Sequence, residues 1–72
     1  MAFAKASYDN ETIELMGKAF DSVLADMKAA NVPLSPSSTA MVARRISQAI
    51  DGGERDLNWL ILKGFETANI FR

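Results

Sequence analysis

The sequence predicts an all-α protein, a small three-helix domain with a mobile N-terminal arm, and three observations carry that expectation. Apolar residues recur at spacings of three and four in three separate stretches. Each stretch opens on a residue able to cap a helix, and short breaks containing Pro, Gly or Asn separate them. With 49% hydrophobic and 24% charged residues in a chain of 72, the composition is that of one globular domain, residues 1–72.

Residues 1–8 lack a helical period and read as the arm, with Phe3 and Tyr8 able to fold back onto the body. The first helix is expected at about 10–30. Asp9 or Asn10 can accept from the orphan amides at its start, and Glu11 and Glu14 favour the positive end of its dipole. Ile13, Met16, Phe20, Val23, Met27 and Ala30 form one stripe, widened by Ala19 and Leu24, while Glu14 and Lys18 are spaced to pair on the opposite side. Gly17 falls on the apolar side, which predicts a close approach by another helix. Asn31, then Val32 and Pro33, stop the helix, because asparagine tolerates left-handed backbone and proline cannot continue.

Ser35 followed by Pro36 reads as a cap with proline at the first helical position, opening a second helix at about 36–51. Met41 or Val42, Ala43, Ile46, Ala49 and Ile50 form its expected buried stripe. Gly52 and Gly53 end it, Gly53 supplying positive φ, and Asp56 is placed to cap a third helix at about 57–71. That helix is apolar all round at Trp59, Leu60, Ile61 and Leu62. A face of Leu57, Ile61, Gly64 and Ala68 toward the core leaves Trp59 partly exposed.

The residues Ala43-Arg44-Arg45-Ile46 through Ile50, then Gly53-Glu54-Arg55-Asp56-Leu57 and Leu60, resemble short uncharacterised proteins of alphaproteobacteria that carry a Gly-Glu-Arg-Asp corner between two helices. In that group the residue after the Asp is commonly proline, where this chain has Leu57. The resemblance spans the last half of the chain; it implies a cytoplasmic bacterial helical domain and brings no activity or site residue.

Composition narrows function more than motif does. There is no Cys and no His, and the formal net charge is −1. The first 35 residues hold three Lys and five Asp/Glu and the rest five Lys/Arg and four Asp/Glu, so no block has the strong basicity of a general nucleic-acid binder. No apolar run has the length of a signal peptide or membrane span, which points to the cytoplasm.

Without thiol or imidazole most catalytic machinery is absent, and the carboxylates fall at helix ends and polar faces; no catalytic, metal-binding or cofactor-binding residue is expected. Nor is a small-molecule substrate inferred. A core this small gives marginal stability, and with neither disulfide nor metal available, association is the remaining support. The expectation is therefore a non-catalytic module that self-associates or binds another protein. Its candidate interface is Trp59, Leu62, Phe65 and Phe71, with Gly64 and Ala68, and Gly17 on the first helix, offering flat spots for close approach. The alternative is a small DNA-associated regulator with a helix-turn-helix-like pair, contacting nucleic acid through Arg44, Arg45 and Arg55. Against it, Arg44 and Arg45 point about 100° apart on their helix, so one of them is expected to pair with Asp51, Glu54 or Asp56.

Overall fold

Three α-helices account for the secondary structure of residues 8–70, the part of the chain that the computed structural model describes. Residues 1–7 and 71–72, and with them Phe3 and Phe71, lie outside the described residues. Helix α1 spans Asn10–Ala29, α2 spans Pro36–Asp51 and α3 spans Leu57–Asn69, each within two residues of the expected bounds.

Each start is capped by the residue whose chemistry suits it. The Asp9 carboxylate accepts from the Thr12 amide at 2.8 Å, and Asp56 accepts from the Asn58 and Trp59 amides. Ser35 and Ser38 cap reciprocally, each hydroxyl accepting from the other's backbone amide at 3.0 Å, with Pro36 at the first helical position.

The ends of α1 and α2 are one motif built twice. Asn31 at φ 59° and Gly53 at φ 101° take the left-handed conformation that closes a helix. Beyond them Val32 N–H donates to the Met27 carbonyl at 2.8 Å and Glu54 N–H to Ala49 at 2.9 Å. Val32 is buried, so the first reversal also carries an apolar anchor next to the fully buried Met27.

The core is Ala19, Val23 and Met27 of α1, Val42, Ile46, Ala49 and Ile50 of α2, and Leu60 and Ala68 of α3, closed by Val32. Helix α3 packs extensively on both others, and the α1–α2 contact is the slightest of the three. Two expected faces are rotated. On α1 the buried side runs Thr12, Ala19, Val23, Met27, leaving Ile13 55% exposed and Ala30 at the surface. On α3 it runs Leu60, Gly64, Ala68, with Leu57 and Ile61 half-buried. Small residues explain both shifts, because Ala19, Gly64 and Ala68 let the α1 and α3 backbones approach and bring their own side into the seam.

At Gly64 side chains of both other helices pack directly against α3. A Cβ there would sit 2.9 Å from Val23 Cγ2, with Val42 and Ile46 also in contact range. The flat spot of Gly64 and Ala68 is thus consumed inside the molecule rather than offered to a partner. Gly17 is the reverse of its expectation: it is exposed, and a Cβ there would meet nothing within 4 Å. Ala43, expected in the α2 stripe, is likewise exposed. Met27 is fully buried, and Met16 and Met41 are half-buried.

Candidate interaction surface

The outward side of α3 follows from helix geometry. At about 100° per residue, a core direction set by Leu60, Gly64 and Ala68 places Leu62 nearly opposite the core, with Trp59 and Phe65 on its two flanks. Leu62 is accordingly 54% exposed while Trp59 and Phe65 are half-buried. Full burial of a leucine is worth about 1.5–3 kcal/mol, and Leu62 leaves roughly half of that unrealised. Ile70, 79% exposed, lies at the C-terminal end of the same helix. Three of the four expected interface residues therefore share one side of α3, and the fourth, Phe71, lies outside the described residues.

Trp59 carries a feature not expected from the sequence. The Arg45 guanidinium lies 5.3 Å from its ring centroid and the Lys63 ammonium 5.8 Å. A cation over an indole that is still partly open to water stabilises by about 0.5–1 kcal/mol. It also ties α2 to α3 at the rim of the Leu62 side. Lys63 in turn pairs with Glu66 at 3.4 Å, the one ion pair among the described residues; Glu14 and Lys18 do not pair. The signal for Lys63 was its position four residues after Trp59, one turn along the helix.

The three arginines expected to contact nucleic acid, Arg44, Arg45 and Arg55, have three different settings. Arg45 covers Trp59. Arg55 donates through Nη1 to the Ile50 carbonyl at 2.9 Å and to the Glu54 carbonyl at 2.8 Å, and borders a cavity of about 350 Å³ with Asp9, Glu11, Thr12 and Leu15. Arg44 is exposed. The expected ion pair with Asp51, Glu54 or Asp56 is absent among the described residues, because those acids already have partners in the backbone and the arm. Asp56 caps α3, Glu54 accepts from the Asp56 amide at 3.1 Å, and Asp51 accepts the Tyr8 hydroxyl.

Tyr8 folds back onto the body as expected and packs on the core, so α1's entry is pinned to the end of α2. Donation to Asp51 raises the Tyr8 phenol above its ordinary value of about 10. Hydrogen bonding from Thr12, side chain first and backbone second, holds the Asp9 carboxyl below the usual carboxylate range, and the Arg55 charge adds to that.

A second concavity lies between α1 and α2. Met16, Gly17 and Phe20 face Ala43, Ile46 and Ser47 across an apolar groove of about 220 Å³. Its floor exists because Gly17 has no side chain. A mid-helix glycine costs about 0.5–1 kcal/mol relative to alanine, and here neither a positive φ nor a close neighbour requires it. The glycine itself was the sequence signal for a special position, and what it signals is a space rather than a contact.

Among the described residues no group of three acids is placed to hold a metal ion, and no helix is long and apolar enough to cross a membrane. Comparison with known protein families, with curated proteins and with solved structures finds no match to this chain.

Proposed function

We propose that this protein is a non-catalytic, cytoplasmic protein–protein interaction module that self-associates through the outward side of α3. The observation that carries this reading is the position of Leu62. The helix that packs on both of the others also turns a leucine to solvent, between two half-buried aromatic rings. An aromatic and aliphatic ridge on a small, marginally stable fold is the kind of surface whose burial between two copies supplies stability that the core alone lacks. Antiparallel stacking of two α3 helices about a two-fold axis would set Leu62 against Leu62, with the two Trp59 flanks meeting on one side and the two Phe65 flanks on the other, a self-complementary arrangement. Trp and its flanking cations are well suited to the rim of such a contact, where one edge of the ring is dry and the other wet.

Trp59 is the sole tryptophan, so its emission reports on this surface directly. Dilution from tens of micromolar to nanomolar is expected to shift the emission to the red, and Leu62→Lys is expected to hold it at the red value at every concentration with helical content unchanged. Emission that is the same for both proteins at all concentrations would contradict self-association through α3.

The alternative, a DNA-associated regulator using Arg44, Arg45 and Arg55, predicts binding of a labelled duplex that weakens steeply with salt. The present reading predicts none at moderate ionic strength, since two of the three guanidinium groups are already engaged within the fold.

A further inference from the structure

We propose that the side of α1 carrying Ile13 and Gly17 is a second contact between copies of this chain, in which each copy's Ile13 enters the groove over the partner's Gly17. This surface is separate from the α3 side, so it does not depend on assembly through α3.

Shape points to a second copy as the occupant. Ile13 is a knob, 55% exposed, and Gly17 is a hole, where a Cβ would meet nothing within 4 Å. The two lie one turn apart on α1, about 6 Å along the axis and about 40° around it. A two-fold axis crossing at the level of Leu15, midway between them, runs two α1 helices antiparallel and exchanges knob for hole, so both ends of the contact fill at once. A crossing that aligns the rows of residues four apart is the commonest class of helix packing. Size agrees. A cavity of about 150 Å³ holds a benzene ring, so the groove of about 220 Å³ bounded by Met16, Gly17, Phe20 and Ala43 takes the four-carbon isoleucine side chain.

Charge selects the same arrangement. Glu14 and Lys18 lie about 100° and 140° around α1 from Ile13, on the flank opposite groove-lining Met16. Both are exposed, and they form no ion pair among the described residues although their spacing suits one. Turning α1 over about the two-fold axis preserves that flank and reverses the order along it. Each Glu14 then stands beside the partner's Lys18, as oppositely charged residues do on the flanks of a two-stranded coiled coil. Parallel stacking would instead set Ile13 against Ile13 and put the two charged flanks on opposite sides. The antiparallel contact also gives Gly17 a use, since neither a positive φ nor a close neighbour within the molecule requires a glycine there. One knob per copy buries little surface, so this contact forms at about 1 mM rather than in the micromolar range.

The test is NMR on the full chain carrying Leu62→Lys, so that assembly through α3 does not enter. In a mixture of labelled and unlabelled protein at about 1 mM, cross-peaks are expected between the Ile13 methyl protons of one copy and the Gly17 α protons of the other. The Ile13 and Gly17 shifts should also move with concentration. Gly17→Leu fills the hole at an exposed site and is expected to abolish both signals with helical content unchanged. Lys18→Glu is expected to weaken the association several-fold, and adding Glu14→Lys to restore it. Shifts independent of concentration, with no cross-peak between copies, would overturn the proposal, as would cross-peaks that persist in Gly17→Leu. A double reversal as weak as the single one would overturn it too, because the antiparallel register requires the pair to be regained.

Discussion

Gly64 and Gly17 are both glycines inside helices, and they sit at opposite extremes of packing. At Gly64 a methyl group would press to 2.9 Å of Val23, and at Gly17 it would meet nothing within 4 Å. The α1–α3 seam is therefore filled by the Val23 side chain up to the Gly64 backbone, while the α1–α2 seam is left open over one turn. A missing side chain can serve to bring a neighbour in or to keep a space free, and only the neighbouring helix decides which. Here α3 packs closely on both partners and holds the molecule together, so α1 and α2 can stand apart at Gly17 without loss of the core.

The largest effect is expected at the closed seam. Gly64→Ala forces Val23 out of its place, and as a β-branched residue Val23 has few rotamers to retreat into, so a loss of about 1–3 kcal/mol is expected in denaturant melts. A neutral outcome would mean that α3 sits further from α1 than the structure places it.

Next in size are the corner residues that aim α3 at the seam. Asp56→Ala removes the cap and is expected to cost about 0.5–2 kcal/mol. Gly53→Val, at φ 101°, should do comparable harm, whereas Gly52→Ala is expected to change little, since its φ is −82° and a Cβ there would lie at ordinary contact distance from the Ala49 carbonyl. Equal melting of the Gly52 and Gly53 variants would contradict the corner geometry.

Gly17→Ala carries the opposite sign. Helix propensity alone favours alanine by about 0.5–1 kcal/mol, so the variant is expected to melt no lower than the parent, and Gly17 and Gly64 should part by sign under the same substitution.

The smallest effects are expected at the α1 entry, and they are directional. The folded-state pKa of Asp9 is depressed, so its cap contributes above the unfolded value near 4 and is lost as pH falls through the folded value. Asp9→Asn keeps a capping side chain and should flatten the acid limb of a melting-temperature profile. Tyr8 is shifted upward, so its contribution is present below about pH 10 and is lost as pH rises through the folded value; Tyr8→Phe should flatten the alkaline limb.

Helix starts and stops were legible because they depend on local chemistry. Asp9, Ser35 with Pro36, Asn31, Gly53 and Asp56 each act on a backbone group within a few residues, and each does what its side chain or its φ permits. Rotation about the helix axes was less legible. Hydrophobic patterning weights large residues, which put Ile13 and Ile61 in the expected stripes, but close packing is set by small ones, and Ala19, Gly64 and Ala68 turned both faces by about one residue. The partial exposure of Trp59 was legible from its place on the helix. Its two cations were not, because Arg45 reaches it from another helix and only the α2–α3 packing brings them together. The expectation that arginine would pair with a nearby acid failed for a related reason: proximity in sequence counts for little when Asp56, Glu54 and Asp51 are already committed to a cap, a turn and Tyr8.

The central claim, that the outward side of α3 joins two copies of this chain, is tested most directly by sedimentation equilibrium at micromolar concentration. The account predicts a mass above the monomer's 7.9 kDa for the parent and a return to 7.9 kDa for Leu62→Lys, with helical circular dichroism retained. A parent that sediments as a monomer at high concentration, or a Leu62→Lys protein whose mass equals the parent's assembled mass, would contradict it.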